Sequence, residues 1–357
     1  MGMCSYTWKE RDPGKGWIEK RCQKETWGDS DEFCIFHDPS PEKDVDLFKE
    51  KLEEQMKSET ERHNFVGYYF PVNWDFSGKE FEITADFSRA TFQGTADFRI
   101  ATFQDANFSR ATFQDAYFIG ATFQDAYFRA ITVKESFNFN PEEVSGIIDL
   151  QESKFFFSGF ITINLEKAKF HHAHLQDVAF IDCEWPENYI IYEEKEMKDD
   201  DVNLTFKELE TIYRDLKQNM QSHGDYTTAG EFYYREMEMR RKGTETRKKR
   251  LWLEIYRGLA GYGEKPERTA FSSALTIFTF AFFYGISGCL HYTVRNPCLY
   301  QQIKDSIYFS FVTFTTLGLG DIRPLNDLGK LLICCEAIIG AFLIALFVVV
   351  FARKMMR

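Results

Sequence analysis

Four residues near the N terminus have side chains that bind soft metal ions. Three thiols and one imidazole occur in a Gly- and Asp-rich segment with little apolar content, residues 1–44: Cys4, Cys22, Cys34 and His37. Four such ligands fill a tetrahedral zinc site and leave no position open for water, which is typical of a structural site. The bound metal would supply the stability that a small apolar core cannot. We predict structural zinc here. The alternative is three reduced cytosolic cysteines beside a surface histidine.

A second stretch could bind a cation through its backbone carbonyl oxygens. Residues 313–321, TFTTLGLGD, lie between two apolar segments, 269–294 and 331–352, each long enough to cross a bilayer as a helix. Non-helical backbone at membrane depth is tolerated only where it is buried in protein or lines a water-filled path. Alternating glycines can adopt positive φ, and rings of carbonyl oxygens can replace the hydration shell of a potassium ion. The alternative is an apolar hairpin with an incidental Gly-x-Gly turn.

The same stretch resembles the potassium channel family, whose selectivity filter is usually T-V-G-Y-G-D. The matching residues are Thr316, Leu317, Gly318, Leu319, Gly320 and Asp321. Tyr308 and Phe309 match the paired aromatics of the family's pore helix. The resemblance covers about residues 265–357 and implies a two-span pore with potassium ions in the filter. One pore loop supplies a quarter of such a filter, so a homotetramer is implied. Leu319 replaces the usual aromatic anchor, and the sequence identifies no partner for Asp321.

The second apolar segment carries one charge, Glu336. An intramembrane carboxylate is a functional candidate, and we expect it to pack behind the filter rather than line the pore. Gly340 lies where the family places its inner-helix hinge. Helical spacing from Gly340 puts three apolar residues on the expected pore face: Ala341, Ile344 and Val348. This helix looks like the inner helix of prokaryotic inward-rectifier channels.

Phe recurs every five residues from Phe103 to Phe128 with Ala two positions before it, and a second block follows at residues 150–185. A period of five fits neither a helix nor a flat strand. The pattern resembles pentapeptide repeats and implies a right-handed quadrilateral β-helix over residues 74–186, with about four repeats per coil. The register slips before Phe87 and Phe98, and we expect a loop or bulge at 137–147. The fold alone does not give a function. His171, His172 and His174 are expected on a solvated face.

Helical signals occupy the remaining segments. Residues 45–63 predict a short charged helix, residues 187–201 an acidic loop, and Thr205 with Glu208 a capping box that begins a helical hairpin. The basic run Arg240–Arg250 predicts contact with anionic lipid headgroups, and residues 252–259 an amphipathic helix in the membrane interface.

The segments define five regions of a mixed fold. These are a zinc-binding segment, a short helix and linker, the β-helix, an α-helical connector, and an all-α two-span pore: residues 1–44, 45–73, 74–186, 187–268 and 269–357. The net charge of −12 argues against a nucleic-acid partner. The polar start lacks a signal peptide, and basic residues flank both spans. We therefore expect a multi-pass protein of the cell membrane with both termini in the cytoplasm.

These observations predict a tetrameric potassium-selective channel controlled through its cytosolic N-terminal region. A non-selective cation channel and a membrane-anchored pentapeptide-repeat interaction protein are the alternatives. An enzyme is not expected, because the sequence shows no nucleophile–base pair or phosphate loop. The gating stimulus, a cytosolic regulator and a Cys289–Cys298 disulfide stay open.

Overall fold

The computed structural model describes residues 2–12, 16–28, 30–197, 204–291 and 298–356. The chain divides into two compact units, the first ending at Glu236 and the second beginning at Met237. Each unit is described by itself.

The first unit opens with an antiparallel hairpin of β1 (Thr7–Asp12) and β2 (Gly16–Arg21). Helix α1 (Val45–Ser58) follows, and its N-cap Asp44 accepts the amide of Leu47 at 3.0 Å. The helix is shorter than the predicted 45–63. It ends because β3 (Arg62–Asn64) is extended and pairs with a later strand of the solenoid.

The repeat region is a parallel β-solenoid of about six turns, which confirms the predicted β-helix. Its rings stack along the axis. Phe87, Phe108 and Phe128, each four repeats from the next, have ring centroids 5.0 and 5.2 Å apart, close to the spacing of neighbouring strands. The Ala two positions before each Phe is fully buried, as at Ala106. The strands are β4 (Tyr69–Phe70), β5 (Trp74–Asp75), β6 (Glu80–Phe81), β7 (Thr84–Asp86), β8 (Thr91–Asp97), β9 (Thr102–Asn107), β10 (Thr112–Tyr117), β11 (Thr122–Tyr127), β12 (Thr132–Phe139), β13 (Glu143–Val144), β14 (Ile148–Asp149), β15 (Ser158–Ile161), β16 (Ala168–Lys169) and β17 (Val178–Ile181).

The register slip before Phe98 is an irregularity of β8 opposite β10. It falls at Gly94, where a Cβ atom would lie 2.5 Å from the side-chain oxygen of Asn73, so only glycine allows this approach. The loop or bulge expected at 137–147 begins later than predicted and is interrupted. Strand β12 continues to Phe139 and β13 pairs with β11, while residues 140–142 and 145–147 lie outside the strands.

Three helices follow the solenoid: α2 (Tyr192–Glu196), α3 (Phe206–Ser222) and α4 (Tyr226–Gly243). The predicted capping box at Thr205 is present. The acidic loop expected at 187–201 is wrong where α2 forms, and residues 198–201 lie outside the described residues. Helix α2 is held on the solenoid by buried Glu193. Its carboxylate accepts hydrogen bonds from the backbone amides of Phe170 and, at 3.1 Å, His171, so the helix covers backbone groups at the end of the solenoid.

The second unit contains α5 (Arg247–Ala260), α6 (Pro266–Ser287), α7 (Leu299–Phe314) and α8 (Asp327–Met355). Helices α6 and α8 are long and apolar enough to cross a membrane. Helix α6 ends at Ser287, before the end of the apolar segment 269–294. Gly288 adopts positive φ, and β18 (Leu290–His291) pairs with β19 (Arg323–Pro324). Cys289 and Cys298 are both free thiols.

Candidate functional site

The fold brings the four N-terminal metal-ligand candidates together. Cys4 precedes β1 and Cys22 follows β2, so the hairpin brings both to its open end, while Cys34 and His37 lie on the following turn. All four are buried, and their ligand atoms lie within 4.8 Å of one another. The cluster therefore contains the complete ligand set that the sequence suggests.

The distances between these atoms fit one tetrahedral ion. The Sγ atoms of Cys22 and Cys34 are 3.9 Å apart, and His37 Nδ1 is 3.2 Å from Cys34 Sγ and 3.6 Å from Cys4 Sγ. A zinc ion with its usual bond lengths would separate two sulfurs by about 3.8 Å and a sulfur from a nitrogen by about 3.5 Å. His37 Nε2 lies 3.0 Å from the carbonyl oxygen of Val66, so Nε2–H donates there and Nδ1 is left to bind. The Val66 contact has no signal in the sequence.

Residues 316–321 form an extended segment between α7 and β19. Every second residue has positive φ, with values of 55°, 56° and 78° at Thr316, Gly318 and Gly320. When the sign of φ alternates along a segment, successive carbonyl groups turn toward the same side of it. Glycine adopts positive φ with little strain. All six residues are exposed, with Leu317 and Leu319 at 63% and 65%. One chain thus leaves the segment uncovered.

Contacts hold both ends of this segment. At its start, the amide of Leu317 donates to the carbonyl oxygen of Val312 at 3.0 Å. At its end, Arg323 Nε donates to the carbonyl oxygen of Gly320 at 3.1 Å. The Tyr308 hydroxyl is close enough to Asp321 to interact electrostatically with its carboxylate. Tyr308 is one of the paired aromatics, and it is the candidate partner for Asp321 that the sequence did not identify.

Glu336 lies in the interior of the second unit with no exposed surface. The Tyr284 hydroxyl of α6 donates to Oε2 at 2.8 Å, and the Ser310 hydroxyl of α7 donates to Oε1. The carboxylate therefore links α6, α7 and α8. The sequence analysis did not identify Tyr284 and Ser310 as hydrogen-bond partners of Glu336. Polar side chains within apolar segments are a signal that could have indicated them.

Gly340 is buried where α8 meets the end of α7. A Cβ atom at this position would lie 2.5 Å from the carbonyl oxygen of Phe314, so the glycine permits close helix approach. Helix α8 is continuous through Gly340, and the hinge stays a prediction. Ala341, Ile344 and Val348 are exposed within this unit.

The basic run Arg240–Arg250 divides into two parts, one at the end of α4 and one at the start of α5. Arg241 pairs with Glu238 at 3.0 Å and with Glu254 at 2.9 Å. Residues 247–250, by contrast, are exposed, as are the apolar side chains of Leu251 and Trp252. Only this second part has the exposure that a contact with lipid headgroups needs.

The helix turn before α6 is tied to the end of α8. Arg353 pairs with buried Glu264 at 3.2 Å, and the Tyr262 hydroxyl donates to Glu238 at 2.8 Å. The end of α4, the turn and the inner helix therefore form one connected set of polar contacts.

Comparison with known proteins agrees with this geometry. Residues 273–357 match an ion channel family, and residues 76–122 and 87–132 match pentapeptide repeats. The chain is 47% identical over 48 residues to "Two pore potassium channel a" of Oryza sativa subsp. japonica, covering 13% of this chain and 14% of that protein. It is 39% identical over 70 residues to a "Hyperpolarization-activated voltage-gated potassium channel" of Methanocaldococcus jannaschii, covering 19% and 32%. The chain thus spans a third or less of these relatives, and no solved structure matches it.

Proposed function

Because residues 273–357 form an ion channel domain downstream of pentapeptide repeats, we propose that the chain is one subunit of a tetrameric potassium-selective channel. Its filter is residues 316–321, and potassium ions bind the carbonyl oxygens there. The observation that carries the proposal is the uncovered segment with alternating positive φ. Four such segments around one axis would surround an ion with carbonyl oxygens. The names of the two similar potassium channels support the choice of ion.

Flux measurements on purified protein in liposomes test this proposal. We expect potassium to pass in preference to sodium and Gly318→Asp to abolish the flux, because it places a carboxylate beside the ion path. Gly224→Asp is the matched control, since Gly224 also has positive φ and open space around a Cβ but lies in the first unit. This control should conduct normally.

The same measurements separate the alternatives. Equal permeability to potassium and sodium would contradict selectivity and favour a non-selective cation channel, which the missing aromatic at Leu319 motivates. A correctly assembled protein that conducts under no condition would favour a membrane-anchored interaction protein. Chemical crosslinking in the membrane should give a tetramer, and a dimer would contradict the assembly.

We also propose that Cys4, Cys22, Cys34 and His37 hold one structural zinc ion. The support is the closed set of four buried ligand atoms and the fixed tautomer of His37. Metal analysis of the purified chain should find one zinc per chain, and Cys34→Ser should remove it. Cys183→Ser is the control, because Cys183 lies in the solenoid away from the cluster. Full zinc content in Cys34→Ser would reject the site.

The membrane arrangement completes the proposal. The chain would cross the cell membrane with α6 and α8 and keep both termini in the cytoplasm. Helix α5 would lie in the interface, with its exposed basic residues against anionic headgroups. The support is that its exposed apolar side chains, which include Trp252 at 71%, have no cover within the described part of this unit.

A further inference from the structure

A cleft in the first unit lies between the N-terminal hairpin and one corner of the solenoid. Its volume is about 430 Å³. The hairpin contributes two indole rings, Trp8 and Trp17, and the solenoid contributes four guanidinium groups from successive coils: Arg62, Arg89, Arg110 and Arg129. Neither the zinc cluster nor the ion path uses these residues.

Two of the four arginines are neutralised by acidic groups of the cleft. Arg62 Nη1 lies 3.1 Å from Glu10 and 3.3 Å from Asp86. Arg129 Nη2 lies 2.5 Å from Glu152. These pairs explain why two cations can sit here without a ligand.

Arg89 and Arg110 differ from them. Neither guanidinium has a hydrogen bond or a close ion pair among the residues that the structure describes, and Arg110 interacts with Glu152 only at longer range. With Lys9, the cleft is lined by five basic and three acidic side chains, a net charge of +2 in a chain whose total is −12. The cleft is therefore locally cationic.

The fold does not require arginine at these two corners. Arg89 and Arg110 have φ values of 61° and 63°, which cost a long side chain more than they cost glycine. The equivalent corners of the adjoining coils are Gly67 and Ala130, as the amide-to-carbonyl ladder along this edge shows. The backbones of Arg89 and Arg110 lie in neighbouring coils, one strand spacing or about 4.8 Å apart, and two like charges on such neighbouring positions favour an anion that both can contact.

The hairpin supplies the other half of the site. Trp17 is 68% exposed, and Trp8 Nε1 is shielded from solvent without a hydrogen-bond partner among the described residues. One guanidinium group can bind two oxygens of a phosphate through two parallel hydrogen bonds. An indole ring stacks on other flat aromatic rings. We infer that the cleft binds a nucleotide, with its phosphate on Arg89 and Arg110 and its base against Trp17. A nucleic-acid strand is disfavoured by the net charge of the chain.

Calorimetric titration of the full-length chain in detergent micelles tests this inference without any measurement of ion flux. AMP and ATP should bind, and inorganic phosphate should bind about tenfold or more weakly, because it gains no contact from the indole rings. Equal affinity for AMP and inorganic phosphate would overturn the assignment to nucleotides. The absence of binding by both nucleotides would overturn the site.

Variants connect the binding to the named residues. The double change Arg89→Ala and Arg110→Ala should weaken AMP binding about tenfold or more, and the corner should still fold because Ala130 occupies the equivalent position. Arg99→Ala is the matched control, since Arg99 is an exposed solenoid arginine paired with Asp97 and absent from the cleft. Trp17→Ala should weaken AMP binding but not phosphate binding. Unchanged AMP affinity in the folded double variant would contradict the inference.

Discussion

At the scale of single residues, Glu336 joins three helices of the ion channel domain. It has no exposed surface, and a buried carboxyl without partners would be costly. The hydroxyls of Tyr284 and Ser310 meet both of its oxygens. These three residues therefore hold α7 against α6 and α8 through side-chain hydrogen bonds.

Removal of one of these hydroxyls should weaken the domain. Tyr284→Phe should lower the free energy of unfolding by about 1–3 kcal/mol, because a buried hydrogen bond to a carboxyl group is lost. Thermal unfolding of the detergent-solubilised protein measures the effect. Tyr300→Phe is the control, since Tyr300 is 75% exposed on α7. Equal losses in the two variants would argue against a role for the Glu336 contacts.

A second residue-scale prediction concerns Gly340. Gly340→Ala should disrupt the pore unit, because its Cβ would lie 2.5 Å from the carbonyl oxygen of Phe314 and backbone must move. We expect loss of assembled protein on size-exclusion chromatography. Gly258→Ala should assemble normally, because Gly258 lies in helix α5 with open space around a Cβ. Normal assembly and flux in Gly340→Ala would show that the helices can separate without cost.

At the scale of elements, the stacked phenylalanine rings form the core of the solenoid. Phe108→Ala should destabilise the first unit by about 3–5 kcal/mol, because it leaves a cavity between rings of the coils before and after it. Chemical denaturation followed by circular dichroism measures the loss. Phe157→Ala should change stability by less than about 0.5 kcal/mol, since Phe157 is 83% exposed. A small loss in Phe108→Ala would mean that the rings repack around the gap.

Helix α2 makes the solenoid end sensitive to pH. Burial raises the pKa of Glu193 to about 7, although the backbone amides of Phe170 and His171 oppose the shift. The folded state thus favours the protonated carboxyl. The pKa of Glu193 is about 4.5 in the unfolded chain and about 7 in the folded chain. The stabilisation that the protonated Glu193 side chain gives the fold is therefore complete below pH 4.5 and is lost as the pH rises through 7.

Glu193→Gln tests this dependence, because an amide oxygen can still accept both backbone amides. Relative to the unchanged chain, the variant should gain up to about 3 kcal/mol of stability between pH 4.5 and pH 8. Thermal unfolding at several pH values measures the difference. Parallel pH profiles for both proteins would contradict the assigned pKa. Glu208→Gln is a control, because the Glu208 carboxylate is an exposed capping group.

Elements with a strong local period were predictable from the sequence. The five-residue Phe period predicted the solenoid, and apolar length predicted both spans. Boundaries were harder, because the chain leaves a helix when a partner strand becomes available, as at β3 and β18. Helix α2 was missed because its stabilising contacts come from residues more than twenty positions away.

At the scale of the whole molecule, the candidate sites differ in how far sequence could locate them. The four metal-ligand candidates and residues 316–321 are marked by residue type. The proximity of Tyr308 to Asp321 and the cleft with Arg89 and Arg110 are not, because they depend on which coils and turns become neighbours. The five predicted regions also divide between only two compact units.

The parallel stacking of the coils has a consequence for how the first unit comes apart. Each coil touches chiefly the one above and the one below, so its energy resembles that of a one-dimensional lattice with nearest-neighbour coupling. Such a lattice melts inward from its ends, and a defect in the middle divides it into two shorter, weaker arrays. The N-terminal segment with its metal-ligand cluster covers one end of this array, and helix α2 covers the other. We therefore expect the loss of either to expose a terminal coil and to lower the stability of the coils next to it.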